Sequence, residues 1–219
     1  MTAAGRLVVV AGATSASGLA VCAALVDAGA RVVAVGRDPG RLAELAEAVP
    51  GAATWLCDVT DSREVRGLTE GVHEEFGQVD GLVNLVGGWR GSEGIPEQGD
   101  DDWEFLEGSL TALRLTSRQF YPDLVASPAG RLAIVSSEAV DAPTAGSAGY
   151  AALKAAAETW VRAVAEGFSR EAPQASASVF VVRALAGLER RLAEEVVALW
   201  SRAPAAPFSR IRLPSETKG

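Results

Sequence analysis

Residues 6–20 read Arg6-Leu7-Val8-Val9-Val10-Ala11-Gly12-Ala13-Thr14-Ser15-Ala16-Ser17-Gly18-Leu19-Ala20. The first six residues form an apolar, β-branched run with no polar alternation, the pattern of a strand buried on both faces. Small residues follow at once, and then an Ala-rich helical stretch. Such a turn lets the backbone bend sharply and approach a pyrophosphate. The helix behind it points its free N–H groups and positive dipole end at the phosphates. Gly12, Ala16 and Gly18 have the spacing G-x3-A-x-G, with Thr14, Ser15, Ser17 and Leu19 completing the candidate cradle. A tight turn without a ligand would look similar, but the position between a buried strand and a helix favours phosphate binding.

Outward from this unit the same alternation repeats. Strands are expected at 31–36, 53–57, 81–86, 131–136, 176–183 and 208–213, and helices at 17–28, 40–48, 61–76, 102–126, 150–170 and 188–201. Asp61 stands where an N-cap belongs. Unalternated strands separated by helices predict an α/β protein, a doubly wound parallel sheet of about seven strands with helices on both faces. No low-complexity linker or fixed-period repeat divides the chain, so residues 1–219 are expected to form one domain, with Pro214–Gly219 frayed.

Composition narrows the function. The 219 residues are 48% hydrophobic and carry a formal net charge of −8, which supports a packed core and argues against nucleic acid or an anionic membrane surface as partner. Two cysteines, Cys22 and Cys57, and a single histidine, His73, leave little for a metal site or a disulfide scaffold. Arg6 and the apolar run behind it could pass for a signal peptide, but Thr14, Ser15 and Ser17 break the run. No apolar run reaches the ~20 residues that cross a bilayer. A reducing cytoplasm fits the unpaired thiols.

Three further features carry chemistry. The second strand ends Val35-Gly36-Arg37-Asp38, beside the position of an adenosine ribose. Gly36 leaves room there, and Arg37 can pair with a 2′-phosphate, which favours NADP over NAD, although Asp38 opposes that charge. Tyr150-x-x-x-Lys154 sits at the start of a helix, where a spacing of four stacks both side chains on one face. An ammonium beside the phenol is expected to lower its pKa and make Tyr150 an acid/base. With two Tyr in the chain and two Lys, composition alone yields this spacing in about 2% of such chains, which weighs against surface decoration. Ser137 lies thirteen residues before Tyr150 at the end of the fifth strand, placed to hold a substrate carbonyl.

In this order the residues resemble the short-chain dehydrogenase/reductase family, well over about Arg6–Arg170 and poorly beyond. The Gly-rich turn is followed by Asp58 after strand three, Asn84-x-x-Gly87 after strand four, then Ser137, Tyr150 and Lys154. The resemblance implies a Rossmann domain binding a nicotinamide cofactor along Asp58, Val59, Asn84, Val86 and Gly87 as well as the Gly-rich turn. Asp58 would contact the adenine. Tyr150 would deliver a proton to the carbonyl oxygen, Lys154 would hold the nicotinamide ribose and assist Tyr150, and Ser137 would orient the substrate. It also implies a homodimer or homotetramer built on the two long helices.

The departures bear on function. Ala16 replaces the usual middle glycine. Ser109 stands where the family carries an asparagine of the proton relay, and could hold a water in its place. The Pro-Gly after strand six is missing, and segment 184–207 is too short for the usual substrate lid, so an open or partner-completed pocket is expected. Trp89 and Arg90 could wall that pocket. Trp103, Trp160 and Trp200 read as packing residues, and His73, between acidic neighbours, as solvated. The leading expectation is NADP(H)-dependent interconversion of a ketone and a secondary alcohol. The alternatives are a degenerate member that binds NADP(H) for sensing or structure or uses the Tyr-Lys pair for cyclisation or dehydration, and a structural protein with no cofactor.

Overall fold

A computed structural model describes residues 2–201 and 203–214. The expected fraying at the C-terminus, and the second lysine Lys218, fall on residues 215–219, outside the described residues. Strands β1 (Leu7–Ala11), β2 (Arg31–Gly36), β3 (Ala52–Leu56), β4 (Gly81–Asn84), β5 (Arg131–Ser137), β6 (Ser176–Val182) and β7 (Phe208–Arg212) form one parallel sheet in the order β3-β2-β1-β4-β5-β6-β7. Helices α1 (Ala16–Asp27), α2 (Pro39–Ala48), α3 (Ser62–Glu75), α4 (Asp100–Ala126), α5 (Ala148–Glu171) and α6 (Glu189–Ala198) cover both faces. Alternate strand residues divide between two cores: Leu7, Val9 and Ala11 pack with α3, α4 and α5, while Val8 and Val10 pack with α1 and α6.

The local signals act as their chemistry dictates. Asp61 caps α3 by accepting from the backbone N–H groups of Arg63 and Glu64. Asp38 caps α2 through Arg41, so the carboxylate expected to offset Arg37 is committed to the backbone. Ser15 caps α1: its Oγ accepts from the Gly18 N–H at 3.0 Å and donates to the Gly12 carbonyl at 3.0 Å. At the opposite end of the sheet, buried Arg131 donates to the carbonyls of Leu199, Gly130 and Gln174, tying the end of α6 to β5.

Trp200 is fully buried and donates its indole N–H to the Ala129 carbonyl at 3.1 Å. A Cβ at Gly81 would lie 2.5 Å from its ring, so the strand gives up a side chain to admit the indole. Trp200→Ala is expected to cost about 3–5 kcal/mol through the cavity and the orphaned carbonyl. Thermal denaturation should show a midpoint lower by on the order of 10 °C.

Candidate active site

β1 feeds α1 on one face and β4 feeds α4 on the other, so the chain diverges outside the carboxyl ends of these adjacent strands. Such divergence leaves a crevice, the usual ligand position in an open α/β sheet. Two cavities open here, of about 460 Å³ and about 570 Å³, sharing Leu85, Val86 and Gly87 as a common wall. Gly12, Thr14 and Ser15 line the first cavity. Gly12 has φ +77°, and a Cβ there would lie 2.9 Å from the Leu85 carbonyl carbon, so the turn packs backbone to backbone against the end of β4. Gly18 is buried against the Ala13 carbonyl, where a Cβ has no room. Ala16 is the exposed first residue of α1, so the methyl replacing a glycine hydrogen is accommodated. Ser17 is buried, Leu19 is exposed, and neither lines a cavity.

The first cavity also carries basic groups. Gly36 and Arg37 line it, together with Arg41 from the first turn of α2. Arg41 also donates to the Thr14 carbonyl, which holds its guanidinium beside the Gly-rich turn. Sequence reasoning missed Arg41; its position one helical turn past the Asp38 cap was the available signal. Asp58 and Val59 line the same cavity. The side-chain and backbone hydrogen bonds of Thr60 hold the Asp58 carboxyl below the usual range. Glycines at the close approach, the N-terminus of α1 aimed into the crevice and two guanidinium groups lining it suit a dinucleotide with an extra phosphate. Asn84 serves the wall instead: its Oδ1 accepts from the Val86 N–H and its Nδ2 donates to Thr116, and it reaches only the second cavity.

Ser137, Tyr150 and Lys154 line the second cavity. Ser137 ends β5 and accepts from the Ala139 N–H at 3.1 Å, which turns the chain into a short 3₁₀ segment, Glu138–Val140. Lys154 lies across the Tyr150 ring, 5.8 Å from its centre, and donates to the Val135 carbonyl at 2.9 Å. The expected lowering of the Tyr150 pKa is not what this geometry produces. Burial pushes the phenol up, and the hydrogen bond with Ser137 only pulls part of the way back. The ammonium points past the ring into the carbonyl and does not sit on the phenolic oxygen. Lys154 itself is drawn down to about 8 by desolvation, against the opposing pull of Glu158. Ser109 hydrogen-bonds the Leu106 carbonyl at 2.6 Å and faces the first cavity across Gly87.

Glu158 is the second functional candidate that sequence reasoning missed. It lies one turn beyond Lys154 on α5, only 1% exposed, and accepts from Ser136 at 2.7 Å and Arg210 at 2.9 Å. The residue spacing Tyr150, Lys154, Glu158 signalled it, since three residues four apart share a helix face.

The loop between β4 and α4 is anchored beside the site. Gln98 donates to the Ala145 and Gly146 carbonyls, and its Oε1 accepts from the Gly149 N–H at 3.2 Å, next to Tyr150. Trp89 walls the second cavity, 64% exposed, whereas Arg90 lies 3.8 Å over the Phe105 ring and pairs with Asp102. On the opposite side Arg183, Ala184, Leu185 and Ala186 complete the wall, and α6 begins soon after, at Glu189. His73 is exposed, as expected, and is also paired: its Nε2 lies 2.7 Å from Asp123 Oδ2 and its ring meets the Phe120 ring edge-on. Trp103 is 46% exposed, contrary to a packing role, while Trp160 donates to Ser117. Burial pushes both cysteine thiols up to about 12, as small inert core groups. Among the described residues no His/Cys/Asp/Glu cluster could hold a metal, and no helix is long and apolar enough to cross a membrane.

Known proteins share this arrangement. The family described as short chain dehydrogenase matches residues 6–182. An uncharacterized oxidoreductase of Staphylococcus saprophyticus is 31% identical over 172 residues, covering 76% of this chain and 71% of the relative. A 3beta-hydroxysteroid dehydrogenase of Mediterraneibacter gnavus is 29% identical over 201 residues, covering 86% and 72%. A metagenomic short-chain oxidoreductase solved in complex with NADP superposes with a TM-score of 0.87 at 26% identity, over 99% of this chain and 100% of that one. With the doubly wound sheet, the Gly-rich turn and the Ser-Tyr-Lys constellation already in place, the match settles the relationship: the chain belongs to the short-chain dehydrogenase family.

Proposed function

We propose that the protein is an NADP(H)-dependent oxidoreductase that interconverts a ketone and a secondary alcohol. The observation that carries this reading is the meeting of Ser137, Tyr150 and Lys154 in one cavity that shares a wall with the phosphate-suited crevice. Arg37 and Arg41 at the ribose end favour NADP over NAD. The NADP-bound relative of equal extent supports the same choice and shows that a similarly short chain accommodates the cofactor. The curated dehydrogenase of Mediterraneibacter gnavus supports a hydroxyl or carbonyl substrate.

The cofactor supplies or accepts hydride. Gly12, Thr14 and Ser15 would hold its phosphates, Arg37 and Arg41 its 2′-phosphate, and Asp58 and Val59 its adenine side. Ser137 donates a hydrogen bond to the substrate oxygen and fixes it against the Tyr150 hydroxyl. Tyr150 passes its proton to that oxygen as negative charge builds there, and takes it back in the oxidative direction. A phenol kept protonated by burial is in the right form for reduction at neutral pH. Ser109 would hold a water through which Lys154 returns a proton to Tyr150, since both side chains lie beside Gly87. The short segment after β6 leaves the substrate side open, with Trp89 and Leu185 as apolar walls.

The test is consumption of NADPH and NADH against a panel of ketones, aliphatic, cyclic and steroidal. NADPH-dependent turnover of at least one is the expected result. Tight NADPH binding without turnover of any would favour the degenerate member, a reading supported by the short segment 183–188 and by Ser109. Absence of NADPH binding, followed by tryptophan fluorescence, would favour the cofactor-free reading. We further propose a cytoplasmic homodimer or homotetramer on α4 and α5, checked by sedimentation. The pH dependence follows from Lys154: its ammonium is charged below about 8 and neutral above. A step that needs the charge should run fully below that pH and decline above it, which a kcat/KM profile from pH 6 to 10 reads out.

A further inference from the structure

We propose that Glu158 is a positioning residue for the Tyr150–Lys154 pair, a buried carboxylate that keeps the Lys154 ammonium charged and directed along β5, and that Arg210 on β7 holds Glu158 in that role. The proposal rests on reading Lys154 as part of the active site.

Tyr150, Lys154, Glu158 and Arg162 recur at intervals of four on α5 and so form one stripe along the helix. The stripe packs over the end of β5, where Lys154 donates to the Val135 carbonyl and the next residue, Ser136, donates to Glu158 Oε1 at 2.7 Å. Glu158 Oε2 accepts from Arg210 Nε at 2.9 Å and from Arg162 at 3.3 Å. A carboxylate with 1% exposure is tolerated in a core only when its oxygens are satisfied and opposite charge is near. Here both conditions hold, and every partner comes from a different part of the fold.

The charges around the stripe sum in a defined way. On α5 itself Lys154 and Arg162 flank Glu158. From β7, Arg210 faces it and also donates to Asp141 at 2.9 Å. Arg212 pairs with Asp141 and with Glu138 beyond. β5 contributes only the neutral Ser136. Arg210 is thus divided between two carboxylates, and its charge does not cancel Glu158 alone. Lys154 shares the second cavity with Glu138 and Arg183 and has a carbonyl, not a carboxylate, as its hydrogen-bond partner. Glu158 is therefore the anion that opposes the loss of its proton, acting through a low-dielectric gap without a direct ion pair. The physical consequence is that β7, the last strand of the sheet, reaches the chemistry through two side chains.

A purely structural Glu158, a tie between α5 and β7, would affect stability and leave Lys154 alone. The two roles separate because the chain has only two lysines, Lys154 and Lys218. Protein labelled with 13C at lysine Cε gives two signals, assigned with Lys218→Arg, and the Lys154 signal can be titrated directly. Wild-type Lys154 is expected to titrate near 8. In Glu158→Gln the midpoint should fall by about one unit or more, a tenfold loss of proton affinity, with the far-UV circular dichroism of the wild type. Glu158→Asp should restore most of the shift. A folded Glu158→Gln protein with an unmoved Lys154 midpoint overturns the proposal. So does a wild-type Lys154 that loses its proton below about pH 6.5, a reading that needs no variant. The titration requires neither substrate nor turnover, so its outcome is independent of whether any ketone is reduced.

Discussion

Replacing Tyr150 with Phe is expected to lower kcat by about 10²–10⁴-fold and to leave NADPH affinity near the wild-type value. The substitution removes one hydroxyl and keeps the ring that lies under Lys154 and inside the second cavity. What is lost is the proton that must reach the substrate oxygen as hydride arrives at carbon. Ser137 can still donate a hydrogen bond to that oxygen, but a hydrogen bond does not complete the alcohol. The raised Tyr150 pKa adds a second signature. A phenol that resists ionisation favours the reductive direction at neutral pH, so the wild-type oxidative rate should climb with pH until Lys154 loses its charge near 8. In Tyr150→Phe that rise should vanish. Stopped-flow measurement of NADPH oxidation, paired with a fluorescence titration of NADPH, separates the lost step from lost binding. Retained turnover in the Phe variant would remove Tyr150 from the mechanism.

The sequence made the scaffold legible because each element carried its own local signal. The run Leu7–Ala11 reads as a doubly buried strand, and Asp61 marks the start of α3 by hydrogen bonds to residues two and three ahead. Ser137, Tyr150 and Lys154 were legible for the same reason, since their spacing on one strand end and one helix face is local. What escaped is what the tertiary fold alone brings together. Asp38 read as a charge opposing Arg37 because its capping bond to Arg41 is invisible without knowing where α2 begins. The hydrogen-bond partner of the exposed His73, Asp123, lies fifty residues away on α4. The Tyr150 pKa was expected to fall on the strength of a lysine four residues on. The direction in which that lysine points is set by a carbonyl on β5, and the sequence pattern carries no record of it. Arg210 reaches Glu158 from the far end of the chain.

The second large effect concerns the choice of coenzyme. The double variant Arg37→Ala/Arg41→Ala is expected to weaken NADPH binding by about 10²–10⁴-fold, at about 1.5–3 kcal/mol for each of the two charged hydrogen bonds lost. NADH binding should change little, because the 2′-hydroxyl gives these guanidinium groups no phosphate to neutralise. Both arginines line the first cavity, together with Gly36, the last residue of β2. A Cβ at Gly36 would lie 2.9 Å from the Thr14 methyl and 3.3 Å from Leu42 Cδ2, so glycine is what lets the Gly-rich turn pack against the end of β2. Asp38 does not line the cavity, so the acidic groups that share it with the two arginines are Asp58, Glu104 and Glu107. Salt gives an internal control: the NADPH affinity of the wild type should fall with ionic strength much more steeply than that of the double variant. Calorimetric titrations of both coenzymes at low and high salt read all four quantities. Equal losses for NADPH and NADH would assign the two arginines to the shared pyrophosphate, or to the Gly-rich turn through the Arg41 bond to the Thr14 carbonyl, and not to the 2′-phosphate.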